Sequence, residues 1–197
     1  MNKLTTLILT LCFGLNSYAQ STGEEAYIND PDGYTNVRDG QSGSANVLTT
    51  IKTGELFQFQ PSDQSNWCEV TKTDGTTGYV HNSRIVSVAT QTKEISKLIQ
   101  AIRTTNPNDV EFNQGSNEML FIYAERYPKS FINAFSNTSE QSKTEIVKEL
   151  ESPIHDGIDL KLVYQRIKGT GVTTNSTSRI LEAVKVAGNK MNLDVTK

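Results

Sequence analysis

The sequence predicts an α+β protein of two domains, a small barrel of antiparallel strands followed by an all-α helical domain. Three observations carry this. Short runs rich in Val, Ile, Thr and aromatic residues, broken by Gly, Asn and Asp, give way near Thr90 to apolar residues at helical spacing. Charge changes at the same place: nine acids stand against four bases from Glu24 to Thr90, and thirteen against fourteen from Gln91 onward. The 197 residues are also enough for one medium domain or two small ones. The predicted units are a leader at 1–19, a barrel at 24–90 and a helical domain of five or six helices at 91–197.

The leader has three parts. Met1-Asn2-Lys3 begins with positive charge, Leu4 to Leu15 is dominated by Leu, Ile and Phe, and Ser17-Tyr18-Ala19 supplies small residues before Gln20. This is the pattern of a secretory signal peptide cleaved after Ala19. The apolar stretch is shorter than the roughly 20 residues of a membrane-spanning helix, so no integral anchor is expected. Leu11 precedes Cys12, which lies inside the apolar run, so a lipoprotein signal is not expected either. The predicted location is periplasmic or secreted. Cleavage leaves Cys68 as the one cysteine, and the fold must hold without an internal disulfide.

In the first half, Ala26–Ile28, Thr35–Val37, Val47–Ile51, Leu56–Gln60, Trp67–Thr71 and Thr77–Val80 read as strands. Pro31-Asp32-Gly33, Lys52-Thr53-Gly54, Ser62 to Asn66 and Thr73-Asp74-Gly75 read as turns between them. Asp74-Gly75 is the strongest hairpin signal, because Gly accepts the positive φ of a tight turn. Closely spaced short strands of this kind make a small closed or nearly closed barrel.

The order of DGYTNVR (Asp32 to Arg38), KTG (Lys52 to Gly54), NWCEV (Asn66 to Val70) and GTTGYVH (Gly75 to His81) resembles the bacterial SH3 domain. The resemblance implies an SH3-like barrel and a binding role, since such domains commonly attach extracytoplasmic proteins to cell-wall peptidoglycan or to protein partners, often beside an enzyme domain. The family often carries a bulky residue after the tryptophan, where this chain has Cys68.

Tyr34, Trp67 and Tyr79 lie beside turns, where a large ring with a polar tip can grip a ligand and still reach water. With Asp32 they are the predicted ligand-binding residues. Asp30, Asp32, Asp63 and Asp74 form either an acidic ring for an amine or a set of turn formers. Val37, Val70, Val80 and one face of Trp67 are expected in the core, and Arg38 to pair with a nearby acid. Cys68 and Trp67 alternate along a strand, which predicts a buried, inert thiol.

In the second half, Ile95, Leu98, Ile99 and Ile102 predict a helix over 93–104 that ends at Asn106-Pro107. A polar loop to Gln114 is expected next. Met119, Leu120, Tyr123, Ala124 and Tyr127 then mark a helix before Pro128, and Phe131 and Phe135 a short successor. Thr138 and Gln141 have capping-box spacing ahead of Ile146, Val147 and Leu150. Leu160, Val163, Tyr164 and Ile167 run to Gly169, and Ile180, Leu181 and Val184 to Gly188. Thr170 to Ser178 reads as a mobile loop.

A net charge of -3 argues against nucleic acid as a partner. Two His and two Cys leave little for metal or nucleophile chemistry, and no HExxH or CxxC supplies metal-ligand spacing, so neither metal nor cofactor is expected. Wall hydrolases beside such barrels use a Cys nucleophile with a His base, but Cys68 sits in a strand, with His81 in the same motif and His155 in the helical half. Glu145, Glu149, Glu151 and the His155-Asp156 pair are the densest polar chemistry of the helical half, and read as a solvated helix face with Asp159 as a cap.

The expectation is a non-enzymatic extracytoplasmic protein whose barrel recognises peptidoglycan or a cell-envelope protein. The alternative is an inhibitor or immunity-type protein acting through its helical domain. A weaker third is a wall-modifying enzyme using helical-domain carboxylates.

Overall fold

The computed structural model describes residues 23–106 and 108–197. The predicted leader with Cys12, and Pro107 of the expected helix stop, lie outside them.

Among the described residues, seven strands come first: β1 (Glu24–Ile28), β2 (Tyr34–Arg38), β3 (Val47–Lys52), β4 (Phe57–Gln60), β5 (Trp67–Lys72), β6 (Thr77–His81) and β7 (Ile85–Ser87). Six helices follow: α1 (Val88–Thr104), α2 (Val110–Arg126), α3 (Pro128–Ser136), α4 (Glu140–Leu150), α5 (Leu160–Gly169) and α6 (Asn175–Lys190). The α+β class and the order of its two regions are those the sequence predicts.

The strands form one antiparallel sheet in the order β3-β2-β6-β5-β4-β1-β7. Alternation decides what each strand buries: Val37, Ile51, Val70 and Val80 are fully enclosed with Ala26, Ile28 and Phe57 in the barrel core. The sheet curls, and Lys72 ties its edge strand β3 back to the central strand β5. Its ammonium donates to the Thr50 carbonyl at 2.9 Å and stands 3.1 Å from Glu55 Oε1, linking β5 to β3 and the turn after it. At the predicted hairpin, Lys72 N–H donates to the Thr76 carbonyl, so the loop is the three residues Thr73-Asp74-Gly75. Gly75 takes φ +85° in it, the left-handed conformation that three-residue hairpins need.

β7 carries no strong sequence signal. It pairs with β1 through Ala26–Ser87 and Ile28–Ile85, and α1 starts directly after it with Ser87 as its cap. β1 is therefore flanked by β4 and β7, and it is buried on both faces. Ala26 and Ile28 enter the barrel core, while Tyr27 points the other way into the helical core, where its ring meets Tyr127.

Four helix starts differ from expectation, the first being α1, which begins at Val88 under its Ser87 cap and not at Lys93. α2 begins at Val110 instead of after Gln114, because Asp109 caps it by accepting the Phe112 N–H; its first turns are polar and leave Val110 exposed, which hides the periodicity. The cap of α4 is Ser139, which accepts the Ser142 N–H, and not Thr138. α6 begins at Asn175 under a Thr174 cap, so the loop covers 170–174 and is four residues shorter at its end than the expected Thr170–Ser178: Thr177 and Ser178 are helical, with Thr177 buried. Phe121, Phe131 and Phe135 are core residues, so none of them marks a partner surface.

Candidate functional site

The outer face of β2, β6 and β5 is set by what the inner face buries. With Val37, Val70, Val80 and Cys68 turned inward, the strand period turns Tyr34, Asn36 and Arg38 of β2, Trp67 and Glu69 of β5, and Tyr79 and His81 of β6 outward. Gly78 lets the sheet close here. A Cβ on it would stand 2.6 Å from Val37 Cγ1 and 2.7 Å from the Arg38 carbonyl oxygen.

One end of this face is a hollow of about 240 Å³. Its walls include Tyr34 and Trp67, with Asp30, Asp32 and Arg84 at one side and Asn36, Arg38 and His81 along the strands. The Trp67 and His81 rings meet edge to face, centroids 5.4 Å apart and planes at 90°. His81 Nδ1 accepts the Ser83 N–H at 3.3 Å and lies 2.8 Å from Ser83 Oγ. Accepting at Nδ1 puts the hydrogen of the neutral ring on Nε2.

Three of the four predicted site residues, Asp32, Tyr34 and Trp67, thus share one hollow. Tyr79 does not line it. It sits on the same outer face, directly across from Arg38 on one side and Glu69 on the other. The acidic ring does not form. Asp30 is buried, 3.3 Å from the Arg84 guanidinium, and accepts the Asp32 N–H at 3.2 Å. Asp74 belongs to the β5–β6 turn, where the Thr76 backbone and hydroxyl hold its carboxyl below the usual range. Arg38 pairs with no acid among the described residues; its Nη1 donates to the Ala45 carbonyl at 2.6 Å. Sequence reasoning missed Arg84, whose pairing with Asp30 is a long-range contact without a local signal.

Cys68 is 3% exposed, and burial pushes its thiol pKa up. In the helical half, Asn117 gathers the loop after α4: its Nδ2 donates to Glu149 Oε2 at 2.8 Å and to the Glu149 carbonyl at 3.1 Å, and its Oδ1 accepts the Ile154 N–H. His155 Nδ1 accepts the Gly157 N–H, and its Nε2 is 3.8 Å from Glu118 Oε1 with both side chains about half exposed. Asp159 caps α5 by accepting the Leu162 N–H. Among the described residues, no group of three or more His, Cys, Asp or Glu side chains is placed to hold a metal, and no helix is long and apolar enough to cross a membrane.

Residues 33–86 match the family model "Bacterial SH3 domain". A stretch of 67 residues is 30% identical to the probable endopeptidase p60 of Listeria innocua, covering 34% of this chain and 14% of that protein. The hollow lies on the matched segment, except for Asp30 and Asp32 just before it.

Proposed function

We propose that this bacterial SH3 domain makes the chain an extracytoplasmic, non-enzymatic binding protein that recognises cell-wall peptidoglycan through the outer face of β2, β6 and β5. The observation that carries the reading is the hollow itself, where the half-exposed Tyr34 ring and Trp67 stand beside charged and amide groups on a rigid sheet. Aromatic surfaces flanked by hydrogen-bonding groups are the usual make-up of a small-ligand site. Domains of this family commonly bind peptidoglycan, which favours the wall over other partners, and the predicted leader favours a location outside the cytoplasm.

The non-enzymatic part is supported by what the reactive groups are doing. Cys68 is enclosed with a raised pKa, the wrong setting for a thiolate nucleophile. Glu149 is engaged by Asn117, and His155 by its own turn. The endopeptidase named in the Listeria relative is seven times longer than the stretch it shares with this chain, as the 14% coverage implies.

The test is incubation of the purified protein with peptidoglycan sacculi, followed by assay of both pellet and supernatant. Pelleting without soluble muropeptides is the expected result. Release of muropeptides would overturn the non-enzymatic part, and absence from the pellet would overturn wall binding.

A further inference from the structure

We propose that the hollow takes a short peptide as a dipole, with the peptide's amino group at Asp32 and its carboxylate at Arg38. This rests on the binding role proposed above and specifies the chemistry of what is bound. The charges in the hollow are of two kinds. Asp30 and Arg84 neutralise one another at 3.3 Å, and Asp30 is further occupied by the Asp32 N–H, so this pair is part of the wall. Asp32 and Arg38 are different: neither makes an ion pair among the described residues. Asp32 is exposed, and the Arg38 guanidinium meets only the neutral Ala45 carbonyl, which leaves its charge uncompensated.

Geometry keeps these two charges apart. Asp32 precedes β2 and Arg38 ends it, so the whole strand lies between them. At about 3.3 Å per residue the strand alone spans about 13 Å. Both side chains line the same hollow from the two ends of that strand. Tyr34 and Trp67 line the hollow with the two poles, and the Nε2–H of His81 is a donor for a peptide carbonyl.

Separated opposite charges discriminate among ligands. A neutral glycan uses neither pole, a polyanion is repelled at Asp32, and a polycation at Arg38. An extended peptide of three residues spans roughly 10 Å between its ends, which reaches both poles because the Asp32 and Arg38 side chains extend into the hollow from the strand's two ends. The hollow, at about 240 Å³, is smaller than the roughly 300–1,000 Å³ of pockets that enclose whole ligands; it fits a segment lying across it.

The test exploits Trp67 being the one tryptophan of the chain, so that intrinsic tryptophan emission reports on the hollow alone. The purified protein is titrated with trialanine, N-acetyl-trialanine and trialanine amide, and the same three probes are run on Asp32→Asn, Arg38→Gln and Arg38→Lys, with thermal melts as a check on folding. The expected result is weak, saturable binding of trialanine, with each blocked form bound about tenfold more weakly, equivalent to 1.4 kcal/mol. Acetylation should cease to matter in Asp32→Asn and amidation in Arg38→Gln, while Arg38→Lys keeps the response to amidation. Failure of trialanine to bind, or equal binding of free and blocked forms, would overturn the dipole. Sacculus binding that persists alongside such a failure leaves the wall-binding role standing and removes only the dipole. Trialanine binding with this charge dependence, without sacculus binding, does the reverse.

Discussion

The Tyr27 phenol oxygen accepts the backbone N–H of Lys129 at 2.9 Å, so a residue of the first strand completes the first turn of α3. Around it, Glu25 pairs with the Lys129 ammonium, Asn29 Oδ1 accepts the Tyr127 hydroxyl at 3.2 Å, and the Asp30 carbonyl accepts from Arg126 at 3.3 Å. The barrel and the helices are joined over one buried strand face. Asp30 is also part of the hollow, so the ligand face and the helical region share a wall.

Tyr27 is 1% exposed, and its ring meets Tyr127 edge to face at 5.8 Å. Tyr27→Ala should cost about 3–5 kcal/mol by loss of the ring and the cavity left behind. Tyr27→Phe, which removes the acceptor of the Lys129 N–H, should cost about 1 kcal/mol. Urea unfolding of the whole chain, followed by tryptophan emission in the barrel and by helical circular dichroism, should give coincident transitions in the native protein.

Stability should fall with rising pH from about 9 upward. Burial raises the pKa of Cys68 above its ordinary 9.0 and those of Tyr27 and Tyr127 above 10.0. Unfolded chains ionise first, so above those ordinary values the folded state binds more protons and the unfolding free energy declines as pH rises. Below pH 9 these groups contribute no slope. Melting temperatures across pH 7 to 11 should show the decline, and Tyr27→Phe should make it shallower.

The β-region was largely readable in the sequence because strand alternation is local: Val37, Val70 and Val80 sit inward where their spacing puts them, and Asp74-Gly75 marks its own turn. β1 was harder. Ala26-Tyr27-Ile28 is a continuous apolar run, and nothing local says that its middle residue serves another core. The same limit applies to the site. Tyr34, Trp67 and Asp32 stand out by type and by position near turns, whereas the Asp30–Arg84 pair and the isolation of Arg38 depend on residues distant in the chain. Helix starts failed where polar first turns, as at Val110 and Asn175, conceal the repeat.

Gly78→Ala should be destabilising by about 1–3 kcal/mol through overpacking, since its Cβ would meet Val37 Cγ1 at 2.6 Å and backbone oxygen of Arg38 at 2.7 Å. The neighbour on that side is β2 backbone, which cannot turn aside as a flexible side chain can. A urea midpoint shift with an unchanged slope is the expected observation.

Asn117→Ala should cost about 1–3 kcal/mol by leaving the Ile154 N–H and the Glu149 carboxylate without their buried partner. Sacculus binding should be unchanged, because the loop after α4 takes no part in the hollow. Denaturation and co-sedimentation of the same preparation check both halves of this expectation.

Whether the hollow around Tyr34 and Trp67 is the ligand face is read from the saturation curve of the purified protein on peptidoglycan sacculi, native against Tyr34→Ala, Trp67→Ala and the double variant. Ring truncations at a binding centre cost about 1–2 kcal/mol or more each. Each single variant should bind about tenfold more weakly, with the double variant weaker still and all three melting close to the native protein. Native-like binding by the folded double variant would contradict it.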